Sequence, residues 1–267
     1  MMKSALVAAS LGTGLIASPQ AGLHVPARPE VIRPDGLAPG EHLLPAMPLT
    51  LGLVGVRARP QLSLSNVSVY GTSTQASSYS PTMDLGPVPP AGSTRYIIVA
   101  TQGCVNSTLG NVNSVSIGGN SATLLYRPYT SMGRPTELWY IQNNTLTSGT
   151  VSVSLSSQQY AYGMSVWNLI NPTSITPHFT NYINQSASVN TLSITVPANG
   201  VGMCLDSTNI GSGTHTWTNA TELFDQQTRS GMYISGAQTT AFGTFDVTCT
   251  QQGTGAHTTV VASWAAQ

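Results

Sequence analysis

Residues 115–126, VSIGGNSATLLY, decide the fold class. Val115 and Ile117 alternate with Ser116, an apolar run from Ala122 to Tyr126 follows, and Gly118 and Gly119 stand between the two arms. A GlyGly pair supplies the positive φ angles of a tight primed turn, whose twist matches that of the strands it joins. The stretch therefore predicts a β-hairpin and an antiparallel sheet. Further along, VSVSL (151–155) places Val151, Val153 and Leu155 on one face and serines on the other, so one face is buried and one is wet.

The same reading continues outward. Short β segments separated by Gly, Asn, Ser and Pro turns are expected at 62–70, 95–101, 114–117, 122–126, 137–142, 151–155, 161–169, 191–196, 201–205, 221–224, 232–235, 242–250 and 258–264. No window sustains a 3.6-residue apolar period with caps, so helices are limited to a turn or two. No fixed repeat marks a solenoid. The expectation is an all-β, antiparallel β-sandwich of jelly-roll type over residues 61–267, with 61–110 as a possible small connecting subdomain.

Only 18 of the 267 residues are charged, 9 Lys+Arg against 9 Asp+Glu, while Ser and Thr together number 64. An ordinary soluble domain carries roughly 25% charge. With Lys3 the single lysine, the positive field that phosphate binding requires is missing, which argues against a nucleic-acid partner.

Residues 1–60 differ from the rest. They hold 8 of the 17 prolines and 5 of the 9 basic residues. Proline at that density forbids helix and central strand alike, so an extended arm is expected, ordered by other surfaces. Sixty such residues span at most about 200 Å. Within the arm Leu49, Leu51, Leu53, Val54 and Val56 form one apolar strand face that suits pairing with a neighbouring subunit's sheet edge; the alternative is a first strand of the following domain. Lys3 followed by the apolar run Ala5–Ala17 has the outline of a secretory leader. Gly12 and Gly14 interrupt it, and it falls short of the about 20 residues of a membrane span. A retained docking peptide is the preferred reading, and no membrane span is expected.

Catalytic motifs are sparse. There is no GxSxG, HExxH, GxxxxGK or GxGxxG element. The five histidines (24, 42, 178, 215, 257) show no metal-ligand spacing, so neither a metal nor a cofactor is expected. Cys104, Cys204 and Cys249 read as small buried strand residues, at least one of them unpaired. Glu222 and Asp225 are close in sequence, but positions three apart on a strand face opposite ways unless a bulge intervenes. A two-carboxylate hydrolase would otherwise draw on distant acids such as Glu137 and Asp206. The expectation is no enzyme. For glycan or receptor contact the turn aromatics Tyr126, Tyr129, Tyr160, Tyr162, Trp217 and Tyr233 are available, core packing being the alternative, and Tyr126, Tyr129 and Trp217 are the candidates. Trp139, Trp167 and Trp264 lie in apolar strands and read as core.

The segments SVSIGGNSATLLY (114–126), ELWYIQN (137–143), TSGTVSVSL (147–155), GMSVWNL (163–169) and HTTVVASWA (257–265) together resemble β-sandwich structural proteins of tailed bacteriophages and prophages, particularly those of alphaproteobacteria. In these a GG-x-x-AT hairpin and LWY, VWxL and ASW strands recur. The resemblance spans about residues 112–264 and transfers no catalytic residue. It implies a virion component: head decoration, spike, collar or tail fibre. The arm, which departs from that pattern, would then contact capsid, portal, neck or tail proteins, with a homotrimer as the expected assembly and a host-surface glycan as a further partner. The competing expectation is an exported glycan-binding or adhesin module, secreted after removal of residues 1–21.

Overall fold

The computed structural model describes residues 61–104, 111–128, 136–209 and 214–267, and among them the chain is all β. The expected arm, with Leu49, Leu51, Leu53, Val54 and Val56, lies outside the described residues, as does Tyr129.

The first half of the body contributes β1 (Ser63–Thr72), β2 (Ala76–Tyr79), β3 (Thr82–Asp84), β4 (Arg95–Cys104) and β5 (Val112–Ile117). It continues with β6 (Asn120–Ser121), β7 (Thr123–Tyr126), β8 (Thr136–Gln142), β9 (Ser148–Gln159) and β10 (Ala161–Ile170). The second half contributes β11 (Phe179–Val196), β12 (Val201–Asn209) and β13 (His215–Thr218). It ends with β14 (Thr221–Arg229), β15 (Met232–Thr239) and β16 (Gly243–Trp264).

Three antiparallel sheets form. The central one runs β1-β10-β4-β8-β7; an outer one runs β2-β9-β5-β6 with β3 on β9; the third runs β11-β16-β12-β15-β14 with β13 on β16. The central sheet is covered on both faces, which is why β4 and β10 are buried at almost every position and read as near-continuous apolar runs. Alternation divides its side chains. Ile97, Val99, Trp139, Ile141, Met164 and Val166 pack with Val115, Ile117, Val151 and Val153 of the outer sheet. Ile98, Ala100, Leu138, Trp167 and Leu169 pack with Met203, Leu205, Ala262 and Trp264 of the third. The all-β antiparallel sandwich expected from residue periodicity is thus present, with one sheet shared by two cores.

Trp167 and Trp264 are fully buried and Trp139 nearly so. Each indole N–H is satisfied, by Ser165 Oγ (2.9 Å), Ile175 O (2.7 Å) and a Glu137 carboxylate oxygen (2.9 Å) respectively.

The close approach of β10 to β15 depends on Gly163, where an added Cβ would lie 2.4 Å from Ile234 Cδ1. Gly163→Ala is expected to cost about 1–3 kcal/mol through overpacking. In the Gly163→Ala/Ile234→Ala double variant the clash is removed, so urea denaturation should give a loss smaller than the sum of the two single losses.

Sequence reading and structure part at three places. The hairpin at 115–126 forms, with Gly118 at φ 57° and Gly119 at φ 82°, but its second arm divides: β6 stays on β5, while β7 crosses to β8 in the central sheet. Strand β11 begins at Phe179, not near residue 191, and the segments expected at 242–250 and 258–264 are one strand. Strand β16 pairs with β11 along both halves, yet between Thr250 and Gly255 it carries four residues opposite Ser188 alone. This bulge, with Gly253 at φ 91°, redirects the strand. Beyond it β16 pairs with β12; before it, with β13. The third sheet therefore curls over a core of its own, made by Leu192, Ile194, Val196, Cys204, Ala237, Val247 and Val261.

Candidate functional site

Beside that third core lies a group of polar side chains. On β12, Met203 and Leu205 face the central sheet, so Cys204 and Asp206 face the inside of the curl. On the last part of β16, Ala262 and Trp264 face the central sheet, so His257, Thr259 and Val261 face inward as well. Strand β13 adds His215 and Trp217, and β14 adds Asp225.

Asp206 is the centre. Thr259 Oγ1 donates to its Oδ1, and His257 Nδ1 donates to the same oxygen at 3.2 Å. His215 Nε2 lies 3.1 Å from Oδ2 but out of line for a hydrogen bond. The other face of the His215 ring is fixed: Nδ1 donates to Asp225 Oδ1 at 2.7 Å, and the His215 backbone N–H donates to Asp225 Oδ2 at 2.9 Å. Asn190 Nδ2 donates to Thr259 Oγ1 at 2.8 Å, adding β11 to the network.

Burial alone would raise the Asp206 carboxyl, but the two histidines beside it, His215 and His257, outweigh burial and hold the group below the usual carboxylate range. Burial likewise opposes a charged His215, and the Asp206 and Asp225 carboxylates reverse that, raising it to about 9. Burial pushes the Cys249 thiol well above its ordinary value, with Asp206 and Asp225 adding to the shift, and takes Cys204 to about 12. Both thiols are unpaired and buried, and in the thiol form they are poor nucleophiles.

Glu137 belongs to a different place. It accepts from the Val112 backbone N–H (3.2 Å), Trp139 Nε1 (2.9 Å) and Arg127 Nη2 (2.9 Å), with the Arg127 guanidinium over the Trp139 ring. Thr136 and Leu138 face the third sheet, so Glu137 faces the outer one. The central sheet and β12 itself separate its carboxylate from that of Asp206, and these two acids cannot flank one bond. Glu222 and Asp225 do draw together. A bulge between Glu222 and Phe224 sets them opposite Ala237 and Ser235, so both fall on the inner side of β15, and Glu222, though largely exposed, is raised by partial desolvation and by Asp225.

The retained glycan candidates are not brought together. Tyr126 is half-buried against the core between central and third sheets, with its hydroxyl near Thr180 and Tyr182. Trp217 packs on the core of the curl, and its N–H donates to Ser235 Oγ at 2.8 Å. Of the wider set, Tyr162 is fully buried and stacked on Tyr79 at 4.7 Å, Tyr160 lies against the Arg229 guanidinium, and Tyr233 meets His215 edge-on.

Residue reasoning named Asp206 as a distant acid and passed over His215, His257 and Cys249, because no local motif joins positions 206, 215, 225, 249 and 257. The one usable signal was His215 and Trp217 alternating in HTWT, a strand-like tetrapeptide. No family model, no curated protein and no solved structure matches the chain.

Proposed function

We propose that the chain is a non-enzymatic structural component of a bacteriophage virion. It is a β-sandwich appendage of the head-decoration, spike, collar or tail-fibre kind, held to capsid, portal, neck or tail proteins through residues 1–60 and assembled as a homotrimer. The observation that carries this reading is where the ionisable groups go. Those that converge, Glu137 with Arg127 and Asp206 with its histidines, have buried carboxylates that tie strands together. What faces outward is dominated by hydroxyl and amide groups, in keeping with the 7% charge of the whole chain. A neutral, sheet-rich body with a proline-rich arm suits a permanent assembly better than a freely diffusing one.

Mass spectrometry of purified particles is expected to find the chain at a fixed copy number in multiples of three. A chain found only as a secreted monomer overturns the proposal.

A second reading, the exported glycan-binding module, is favoured by the grouping of Tyr126, Thr180 and Tyr182, the last being 37% exposed. Under that reading the mature chain starts at Ala21 or Gly22. Glycan-array binding by the full chain should then fall about tenfold in Tyr182→Ala, the loss of one stacked ring. Binding unchanged in that variant removes the reading.

A further inference from the structure

Three atoms of kinds that bind metals, a carboxylate oxygen of Asp206, a ring nitrogen of His215 and Sγ of Cys249, lie within 4.8 Å of one another, and all three residues are buried. They come from β12, β13 and β16, three strands of one curled sheet, so their spacing is set by backbone pairing: Cys249 stands opposite Trp217 across the β13–β16 ladder, two residues from His215.

A second observation points to a ligand. His215 Nε2 is buried and makes no hydrogen bond, while Nδ1 is held by Asp225. A histidine whose Nδ1 donates to a carboxylate, while Nε2 stands 3.1 Å from a second carboxylate without a hydrogen bond to it and in reach of a thiol, has the arrangement found at metal-binding histidines. In a tetrahedral site with bonds of 2.0–2.3 Å, ligand atoms stand about 3.3–3.8 Å apart, so the cluster needs to contract by about 1 Å.

We propose that Asp206, His215 and Cys249 bind a divalent transition ion of the zinc class, with Asp225 orienting His215. The donor set chooses the metal. Magnesium and calcium take oxygen ligands, whereas a mixed sulfur, nitrogen and oxygen set suits zinc or cobalt. One carboxylate and one thiolate cancel the charge of the ion, which leaves no net charge among the ligands in a buried place. On binding, the ion takes lone pairs from Oδ2, Nε2 and sulfur, and two protons leave to solvent, the one on sulfur and the one on Nε2 of the charged His215. Water takes the fourth position. Because the site lies under the sheet, the ion enters as the chain folds. The surroundings are compatible: His257 Nδ1 and Thr259 Oγ1 donate to Asp206, Trp217 and Tyr233 wall the site, and Glu222 is a further acid close by.

The test is to refold the full chain with one equivalent of Co²⁺. The expected result is a sulfur-to-cobalt charge-transfer band, saturating at one ion per chain and displaced by one equivalent of Zn²⁺. Cys249→Ser should abolish the band; Cys204→Ser and Cys104→Ser should keep it. Asp225→Asn should weaken cobalt binding by about 10–100-fold. Should Cys249→Ser not fold, X-ray absorption on the zinc-loaded natural chain decides, one sulfur neighbour being expected. A folded chain with no band, a band that survives Cys249→Ser, or a zinc shell without sulfur overturns the proposal and leaves the cluster a proton-bridged ion-pair network.

Discussion

Replacing Arg95 by methionine is expected to lower folding stability by about 3–5 kcal/mol, read as a fall in the urea midpoint without a change in slope. Arg95 is fully buried at the first position of β4, and its guanidinium meets carbonyl oxygens instead of an acid. Nε donates to Asn143 O at 2.7 Å; Nη1 donates to Pro87 O at 2.7 Å and Gly86 O at 3.2 Å; Nη2 donates to Leu146 O. The side chain thus joins the segment after β3 to the turn between β8 and β9. The same turn is held at the Arg95 backbone, whose N–H donates to Asn144 Oδ1 at 2.8 Å. Methionine fills the volume but leaves these carbonyls without donors in a dry place. Lysine keeps the charge but lacks the planar fork, so Arg95→Lys is expected to recover less than half of the loss. A loss under about 1 kcal/mol in Arg95→Met would mean that water replaces the guanidinium at little cost.

Arg95 also shows where reading residues one after another stops. It was legible as the start of an apolar strand, because RYIIVA carries the strand signal in its own side chains. That its guanidinium turns under the sheet to collect carbonyls from two distant segments depends on tertiary approach. The hairpin at 115–126 was legible for the opposite reason: positive φ at Gly118 and Gly119 is a local requirement that local residues meet. Its second arm could not be followed, since the transfer of β7 to the central sheet is decided by the partner strand β8. The stretch QQGTGAH reads as a break because its glycines favour turns; in the fold it is a bulge inside one 22-residue strand. That misread bulge hid the candidate site. With the strand broken there, Cys249 lies near the end of one segment and His257 falls in the gap before the next, and nothing places them beside Asp206 and His215. The caution attached to Glu222 and Asp225 was correct in form: strand parity separates them, and a bulge restores them to one side.

Asp206→Ala is expected to be the costliest change among the acids of the third sheet, at about 3–5 kcal/mol when measured by urea denaturation with a chelator present. The reasoning rests on what the carboxylate leaves behind. His257 Nε2 already has no hydrogen-bond partner, so losing the Nδ1 bond orphans the whole imidazole in a buried place. Thr259 loses its acceptor but keeps the donor from Asn190, and His215 keeps Asp225, so these two lose less. Asp206→Asn should cost less than alanine, because its amide oxygen still accepts from Thr259 and His257. A double-mutant cycle apportions the effect. If His257 is the main orphan, His257→Leu combined with Asp206→Ala loses less than the sum of the single losses, with a coupling of about 0.5–3 kcal/mol. Additive losses would place the cost in the cavity left by the carboxylate and not in the unpaired ring. Either way the effect should be larger than that of Glu222→Ala, whose carboxylate is exposed and tied to no strand by a hydrogen bond among the described contacts. Glu222 stands three positions and one bulge from Asp225 on β14, Asp206 stands beside His215, and burial separates their consequences.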